Sequence, residues 1–257
     1  MAVELSSVER QQHLLRYIEQ QRRVTVNQIV EQFDISLATA RRDLETLADQ
    51  GKVQRVHGGA IAVRQAPPEP PVLQRTSEQA SEKVRIGQAA ADLIHDGDTV
   101  FLGSGTTVLE VARQLRGKRG LTLITNSLLV LNELADAEDM TVIGLGGMLR
   151  HSEMSLIGHI TELGLSELHA DKVILGIRAV DPERGLSNDY LPETITDRTI
   201  LKIAREVIVV ADHTKCGAVA TAFVAPITSV HTLITDTQTP AEFVAALKAQ
   251  GVRVLTV

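Results

Sequence analysis

The sequence contains a single cysteine, Cys216, so no disulfide can form within the chain. No apolar run approaches the roughly 20 residues that a membrane-spanning helix needs. The first residues also lack the charged, apolar and small-residue series of a secretory signal. Together these absences predict a protein of the reducing cytoplasm without a membrane partner. At 257 residues, 44% of them hydrophobic, the chain is long enough for two domains.

Residues 26–59 have the pattern of a winged helix-turn-helix. Thr25 and Gln28 have capping-box spacing at the start of one helix, and Ser36 is a suitable N-cap for the next, which Gly51 ends. An earlier helix, from about Val8 to Gln21, completes a small core. The residues predicted to form that core are Leu14, Leu15, Ile18, Val26, Ile29, Val30, Phe33, Ala40, Leu44 and Leu47.

The outward face of the second helix indicates what this unit binds. In a helix-turn-helix, the first turns of the second helix enter the major groove, where arginine can bind a guanine edge or a phosphate. Cations of the wing, residues 52–60, suit contacts with the sugar-phosphate backbone. The alternative is a helical hairpin with a solvated arginine pair, but turn length, wing and arginine placement together favour double-stranded operator DNA as the partner. The residues predicted to bind DNA are Ser36, Leu37, Ala38, Thr39, Arg41, Arg42, Lys52, Arg55 and His57.

The chain lacks the strong positive charge of many DNA-binding proteins. Its formal net charge is −6, and residues 1–75 hold ten Lys/Arg against nine Asp/Glu. Non-specific affinity for DNA should therefore be modest and sensitive to salt. A homodimer or homotetramer would multiply the contacts, and we expect one of these assemblies.

After residue 63 the composition changes twice. Residues 64–75 are dense in proline and lack periodicity, which predicts a semi-extended linker. From residue 76 to 257, short Val/Ile/Leu runs alternate with amphipathic segments, which predicts an α/β domain with a mostly parallel sheet covered on both faces. Thr76 and Gln79 are predicted to cap its first helix. The predicted domains are thus residues 1–63, a linker over 64–75, and residues 76–257.

The ends of the predicted strands are rich in glycine and polar residues. Ligands of parallel sheets bind beyond the carboxyl ends of the strands. The loop of residues 103–107, Gly-Ser-Gly-Thr-Thr, precedes a helix, and free amides at a helix start favour a phosphate. An ordinary strand-to-helix turn is the alternative for this loop. The candidate ligand-binding residues are Gly103, Ser104, Gly105, Thr106, Thr107, Asn126, Ser127, Gly146, Gly147, Arg150, Glu193, Asp212 and Lys215.

Several other site types are not predicted. No lysine follows the 103–107 loop as in a Walker P-loop, and no GxGxxG fingerprint for a dinucleotide is present, so no cofactor is expected. His57 and His213 lack companions at metal-ligand spacing, so no metal site is expected. Cys216 has no evident base partner and is interpreted as a packing residue.

The segment SLATARRDLETLADQGKVQRVHGGA closely resembles the DNA-binding segment of the DeoR family of bacterial repressors. Further along, GSGTT, TNS, LGGMLR, LGI and VVADHTKCG resemble the successive blocks of that family's effector domain, which is similar in fold to ribose-5-phosphate isomerase. The resemblance implies a bacterial transcriptional repressor of a carbohydrate or polyol operon, relieved by a phosphorylated sugar or polyol. It implies that Ser104, Thr106, Thr107 and Lys215 hold the phosphate, while Asn126, Gly147 and Glu193 line the site.

Two positions depart from the family pattern. Many members carry a lysine four residues after the glutamate at 193, where this chain has Asp197, and residues 181–188 match poorly. A sugar-phosphate isomerase or deaminase is the alternative function, with Glu193 as a base. An enzyme has no use for residues 1–63, however, and similarity of fold does not carry activity with it. We therefore expect a regulator and not an enzyme.

Overall fold

The structure, a computed structural model, describes residues 6–21 and 23–257 and divides the chain into two compact units between Gln65 and Ala66. The predicted linker, residues 64–75, falls on both sides of this boundary. Its second half is packed into the second unit, where Val72 is fully buried and Arg75 is 7% exposed. Apolar burial of Val72 and the ion pairs of Arg75 hold this proline-rich stretch against unit 2.

Unit 1 is a three-helix core with a small antiparallel sheet, as the winged helix-turn-helix pattern predicts. The strand order in its three-stranded sheet is β1-β3-β2. The described elements are α1 (Ser7–Gln21), β1 (Arg23–Thr25), α2 (Val26–Phe33), α3 (Leu37–Asp49), β2 (Val53–Val56), β3 (Gly59–Ala62) and β4 (Arg64–Gln65). Strand β1 was not predicted, because three residues between two helices give no periodic signal.

Local capping fixes the ends of α2 and α3. The Oγ1 of Thr25 accepts from the Gln28 amide at 3.2 Å and Gln28 Oε1 accepts from the Thr25 amide at 2.8 Å, so the capping box is confirmed. Ser36 Oγ accepts from the Thr39 amide at 3.1 Å. Gly51 has φ +69° and ends α3, because a left-handed residue redirects the chain.

The double glycine of the wing has a steric cause. Gly58 has φ +81° in the turn between β2 and β3. A Cβ at Gly59 would lie 2.0 Å from the Val24 carbonyl oxygen, so only glycine allows β3 to pair with β1.

A buried carboxylate ties α1 to α3. Asp43 is 2% exposed and accepts from Arg10 Nε at 2.7 Å and Arg10 Nη2 at 3.2 Å. Gln11 Nε2 donates to the same carboxylate at 2.9 Å. The contact with Asp43 raises the pKa of Arg10. The sequence pattern gave Asp43 no role, because its partners lie on another helix.

Asp43→Ala should lower the free energy of unfolding of the chain by about 2 kcal/mol, since it leaves the half-buried donors of Arg10 and Gln11 without their charged acceptor. Glu45→Ala is the matched control, because Glu45 lies on the same helix but is exposed. Urea denaturation followed by circular dichroism measures both. Equal stabilities for the two variants would show that this ion pair does not hold α1 against α3.

Unit 2, whose residues are all described, is built on a seven-stranded parallel sheet in the order β17-β16-β13-β10-β5-β6-β7. Its elements are α4 (Ala80–Ala91), β5 (Thr99–Leu102), α5 (Thr106–Leu115), β6 (Thr122–Thr125), α6 (Leu128–Leu134), β7 (Thr141–Gly144), β8 (Met148–Arg150), β9 (Ser155–Ile157), α7 (His159–Ser166), β10 (Ala170–Gly176), β11 (Ala179–Asp181), β12 (Gly185–Asn188), α8 (Leu191–Ile200), β13 (Ala204–Val210), β14 (Ala218–Val219), β15 (Ala222–Ala225), β16 (Thr232–Thr235), α9 (Ala241–Ala249) and β17 (Arg253–Thr256), with short 3-10 turns at Val72–Arg75, His213–Lys215 and Ile227–Ser229.

Helices cover both faces of this sheet. In β5, Val100 and Leu102 face the core shared with α4, α5 and α6, whereas Phe101 faces the core shared with α7 and α8. The same alternation places Val209 of β13 against α9. Alternate residues of a strand point to opposite faces, so near-continuous apolar runs were the correct signal. The predicted fold class is confirmed in both units.

The strand order reverses direction between β5 and β10. From β5 the chain runs outward through β6 and β7, then returns to place β10 on the other side of β5. Parallel sheets bind ligands at such a switch point, at the carboxyl ends of the strands. The order therefore places the expected ligand site where β5 and β10 end, at Gly103 and Ile177.

Some local predictions for unit 2 were wrong. Helix α4 begins at Ala80, Gln79 makes no side-chain cap, and Thr76 Oγ1 donates instead to the Leu73 carbonyl at 2.7 Å. The hairpin β8–β9 and the sheet β11-β12-β15 were not predicted. Strands β8, β9 and β11 have only three residues each, too few to show alternation. No helix in the described part of the chain is long and apolar enough to span a membrane.

Candidate functional site

The predicted DNA-binding residues lie together on the exposed side of unit 1. Ser36, Leu37 and Ala38 are exposed in the first turn of α3, Thr39 is half-buried, and Arg41 and Arg42 are exposed on the next turn. The apolar side chain of Leu37 is 49% exposed. Small and cationic groups thus line the face that a major groove would meet.

The wing residues are exposed as well, and one of them contacts α3. Lys52, Arg55 and His57 are exposed on and before the β2–β3 hairpin. Arg55 Nη1 donates to the Arg41 carbonyl oxygen at 3.1 Å. This bond fixes the wing against the helix, so Arg55 has a positioning role that the sequence did not reveal.

The loop after β5 has the geometry of an anion cradle. Gly105 is the N-cap of α5, with φ +108°, and has no side chain to cap the helix. The first amides of a helix have no intrahelical acceptor, so the start of α5 offers free donors. Ser104 and Thr107 are half-buried and Thr106 is 5% exposed. Residues 103–107 therefore remain the candidate phosphate site.

Asn126 directly follows β6 and lies beside this loop, since Leu102 of β5 pairs with Thr125, the last residue of β6. Its Nδ2 donates to the Leu156 carbonyl at 3.0 Å, which holds the β9 segment. Its Oδ1 is buried and has no hydrogen-bond partner within unit 2. Buried polar atoms are nearly always satisfied, so this oxygen is a candidate acceptor for a ligand hydroxyl.

Other candidate residues have structural duties. Ser127 Oγ caps α6, accepting from the Val130 amide at 3.3 Å. Gly146 O accepts from Thr161 Oγ1 at 2.8 Å, and a Cβ at Gly147 would lie 2.1 Å from that same hydroxyl oxygen. Asp212 Oδ1 accepts from the Thr214 amide at 2.9 Å. These contacts shape the edge of the sheet. They also occupy the Ser127 and Asp212 side chains and the Gly146 carbonyl, so fewer of these groups are available to a ligand.

Glu193 is the centre of a buried polar cluster. It pairs with Arg150 and accepts from Ser155 Oγ at 3.3 Å and Asn188 Nδ2 at 3.2 Å. The Arg150 guanidinium also lies 4.8 Å from the centroid of the Tyr190 ring. The structure therefore brings the predicted Arg150 and Glu193 into direct contact.

The two departures from the family pattern meet in this cluster. Residues 181–188 form the turn and second strand of the β11–β12 hairpin, which ends at Asn188. Asn188 Nδ2 also donates to Asp197 Oδ2, at 2.9 Å. Burial raises the pKa of Asp197 to about 7, against the lowering effects of Asn188 and Arg150. Where many family members have a positively charged lysine, this chain thus has a carboxyl group that titrates near neutral pH.

The contribution of Asp197 to the free energy of unfolding should fall as the pH rises from about 4 to 7. Asp197 in the folded chain keeps its proton to about pH 7, whereas in the unfolded chain it ionises near its ordinary value of 3.8. The folded state then holds the extra proton, so the contribution of Asp197 falls with a slope of up to about 1.4 kcal/mol per pH unit.

Asp197→Asn should remove that part of the slope, because asparagine can still accept from Asn188 and does not ionise. Urea denaturation at several pH values measures the difference, with the exposed Glu183→Gln as control. Parallel pH curves for wild type and Asp197→Asn would contradict the assignment.

Lys215, predicted to bind the phosphate, lies in a second ionic cluster. It pairs with Glu69, which also contacts Arg75 Nη1 at 2.9 Å and Arg178 Nη1 at 3.6 Å. Arg178 lies two residues beyond the end of β10, so the rule of polar strand ends would have found it. Arg75 and Glu69 were missed because their segment was assigned to a linker.

Cys216 is buried, and burial raises the pKa of its thiol to about 11, as expected for a packing residue. Within residues 6–21 and 23–257, no group of three or more His, Cys, Asp or Glu side chains is placed to hold a metal ion.

A winged helix-turn-helix with an exposed arginine pair, followed by an α/β unit with an anion cradle, defines a DNA-binding regulator with a ligand-sensing domain. Family profiles agree with this division. A DeoR-like helix-turn-helix domain matches residues 10–66, and the DeoR C terminal sensor domain matches residues 78–237. The chain belongs to the DeoR family of transcriptional regulators and is not an enzyme.

Named relatives extend over nearly the whole chain. The glycerol-3-phosphate regulon repressor of Escherichia coli K12 is 34% identical, covering 95% of this chain and 96% of its own. The transcriptional repressor AccR of Agrobacterium fabrum is 34% identical, covering 91% of each chain. The repressor GlcR of Bacillus subtilis is 34% identical, covering 94% of this chain and 93% of its own.

Solved structures resemble part of the chain more distantly. Ribose 5-phosphate isomerase A of Methanocaldococcus jannaschii gives a TM-score of 0.40 at 18% identity, over 54% of this chain and 55% of that one. A 4-hydroxybutyrate CoA-transferase of Porphyromonas gingivalis gives 0.42 at 16% identity, over 65% of this chain and 52% of that one.

Proposed function

We propose that this chain represses a carbohydrate or polyol catabolic operon and is relieved by a phosphorylated sugar or polyol. Unit 1 binds operator DNA in the cytoplasm through α3 and the wing. Unit 2 binds the effector at the carboxyl ends of β5, β6 and β10. The names of relatives, such as the glycerol-3-phosphate regulon repressor, support this class of operon.

The observation that carries the effector class is the uncapped start of α5 at the switch point of the sheet. Gly105 supplies no cap, so the first-turn amides are available to a phosphate. Asn126 Oδ1 adds an unpartnered acceptor on the neighbouring strand, suited to a hydroxyl of the same ligand. Amide donors beside a lone acceptor fit a phosphorylated polyhydroxy compound.

A thermal-shift panel of the full chain tests this proposal. The panel contains glycerol 3-phosphate, ribose 5-phosphate, glucose 6-phosphate and their dephosphorylated forms. A ligand at about 100 times its Kd adds ~2.7 kcal/mol to the stability of the folded state. We expect stabilisation by at least one phosphorylated compound and none by its dephosphorylated form. Equal stabilisation by both forms would show that the chain does not recognise the phosphate group.

We propose a homodimer or homotetramer that joins through unit 2. Exposed apolar side chains lie on α7, α8 and β15, which pack against one another. They are Ile160 at 65%, Leu163 at 54%, Leu191 at 60%, Ile195 at 48% and Phe223 at 50% exposure. Contiguous exposed apolar residues mark association surfaces. We take a second copy of this chain as the partner, because helix-turn-helix proteins bind paired half-sites as dimers.

Ile195→Asp should shift the chain toward monomers, because it places a charge in the centre of that apolar face. Analytical ultracentrifugation at micromolar concentration measures the change, and Lys202→Asp, an exposed charge change just after the same helix, is the control. An unchanged sedimentation coefficient for Ile195→Asp would exclude this face as the interface.

A further inference from the structure

Three cations converge on one carboxylate oxygen in unit 2. Glu69 Oε1 lies 2.9 Å from Arg75 Nη1 and 3.6 Å from Arg178 Nη1, and it also pairs with Lys215 Nζ. The exposed fractions of the three cationic side chains are only 9%, 6% and 17%. We call Glu69, Arg75, Arg178 and Lys215 the Glu69 cluster. Glu69, the carboxylate that all three cations share, belongs to the segment that enters unit 2.

Two cations of the Glu69 cluster have a second carboxylate partner, since Arg75 Nη2 pairs with Glu153 and Arg178 Nε donates to Asp189 at 2.9 Å. One buried donor of the cluster nevertheless remains unsatisfied. Arg75 Nε is buried and has no hydrogen-bond partner. Lys83, 4% exposed, donates to the Arg75 carbonyl at 2.8 Å and so adds a fourth positive charge. Burial lowers the pKa of Lys83. The charge of Asp212 opposes this shift, whereas the charges of Arg75 and Lys215 add to it. A phosphate has more negative charge and more acceptor oxygens than a carboxylate, so it suits this site better.

The Glu69 cluster adjoins the proposed effector site. Arg178 lies two residues beyond Gly176, where β10 ends, and a Cβ at Gly176 would lie 3.0 Å from the Ser104 carbonyl oxygen. Lys215 follows β13, the neighbour of β10. The cations therefore stand at the same sheet edge and switch point as the 103–107 loop.

The segment that carries Glu69 has few means of its own to stay in place. Residues 67, 68, 70 and 71 are prolines, which have no amide hydrogen to donate. Arg178 donates to the Pro67 carbonyl, and Glu69 makes the ion pairs described above. Backbone bonds flank the segment, from the Ala66 amide to Val219 O at 2.9 Å and from the Val72 amide to Ser152 O at 2.7 Å. Residues 66–71 are thus held mainly by the ion pairs of the Glu69 cluster and by the bond from Arg178 to the Pro67 carbonyl.

We propose that Arg75, Arg178 and Lys215 form an anion site that Glu69 fills in the absence of effector, and that an anionic group of the effector displaces Glu69 and frees residues 66–71. The inference rests on the proposed function and specifies how that site acts. Residue 66 follows directly on the DNA-binding unit in the chain, so loss of this anchor changes DNA binding. Thermodynamic linkage then requires that bound effector lowers the affinity for operator DNA and that bound operator lowers the affinity for effector.

Glu69→Gln tests the competition, because it removes the charge and nearly preserves the shape. Isothermal titration of the full chain with inorganic phosphate should show at least 10-fold tighter binding than in wild type. Affinity for operator DNA should fall several-fold in the same variant without any ligand. The exposed Glu78→Gln is the matched control and should behave as wild type. Phosphate affinity that is unchanged or weaker in Glu69→Gln would overturn the inference.

A wild-type measurement decides the matter if the variant fails to fold. Inorganic phosphate should speed hydrogen exchange at the Ala66 amide, because the freed segment loses its bond to Val219. Slower or unchanged exchange would overturn the inference. A phosphorylated effector that releases operator equally from wild type and Glu69→Gln would overturn it while the proposed function stands. Absence of any bound phosphorylated compound in both proteins would overturn the proposed function itself.

Discussion

Replacing Arg41 and Arg42 together by alanine should weaken operator binding by at least about 2 kcal/mol, or roughly 30-fold, with folding unchanged. Both side chains are exposed on α3, and among the described residues no side chain or backbone oxygen accepts a hydrogen bond from either guanidinium. Their charge is therefore available to bases or phosphates. In an oligomer the loss applies to every half-site, which makes this the largest effect expected in unit 1.

Fluorescence anisotropy with a DNA fragment selected by the purified chain from a random library measures this loss. Arg205→Ala is the control, because Arg205 is exposed at the start of β13 in unit 2. We expect the control to bind as wild type and the double variant to show a smaller dependence of affinity on salt. Wild-type operator affinity in the double variant would show that α3 does not enter the groove.

Ser104→Glu should abolish the response to a phosphorylated effector, with an affinity loss of at least about 100-fold, near 3 kcal/mol. Ser104 directly precedes Gly105, the N-cap of α5. A carboxylate at this point can accept from the free first-turn amides, which is favourable for the helix. The variant should therefore fold at least as well as wild type while its own side chain repels or replaces the phosphate.

Ser166→Glu provides the matched control, since it adds the same charge at an exposed residue that ends α7. Thermal shift with the phosphorylated compound found in the panel reads out both variants. If that compound stabilises Ser104→Glu as much as wild type, the 103–107 loop is not the phosphate site.

The sequence predicted unit 1 well because its structure depends on neighbouring residues. The capping box of Thr25 and Gln28, the Ser36 cap and the left-handed Gly51 each act within a few positions of the chain. Short, near-continuous apolar runs likewise predicted the parallel sheet of unit 2, because its inner strands are buried on both faces. Both kinds of signal are local.

The ionic part of the site was not predictable in the same way. Glu69 and Lys215 are 146 positions apart, and Arg75 and Glu153 are 78 apart. Glutamate and arginine in a proline-rich stretch are ordinary solvent-exposed residues by composition, so nothing in the sequence indicated their burial. Asn188 and Asp197 meet only because the unpredicted β11–β12 hairpin delivers Asn188 to α8.

The most direct test of the account is operator affinity measured with and without a phosphorylated ligand. Anisotropy titrations of the selected DNA would compare wild type and Ser104→Glu, each with the phosphorylated compounds and their dephosphorylated forms. The account predicts that one phosphorylated compound lowers wild-type affinity for DNA, that its dephosphorylated form does not, and that Ser104→Glu binds DNA without responding. Wild-type DNA affinity that no phosphorylated compound changes, or an equal response in Ser104→Glu, would contradict it.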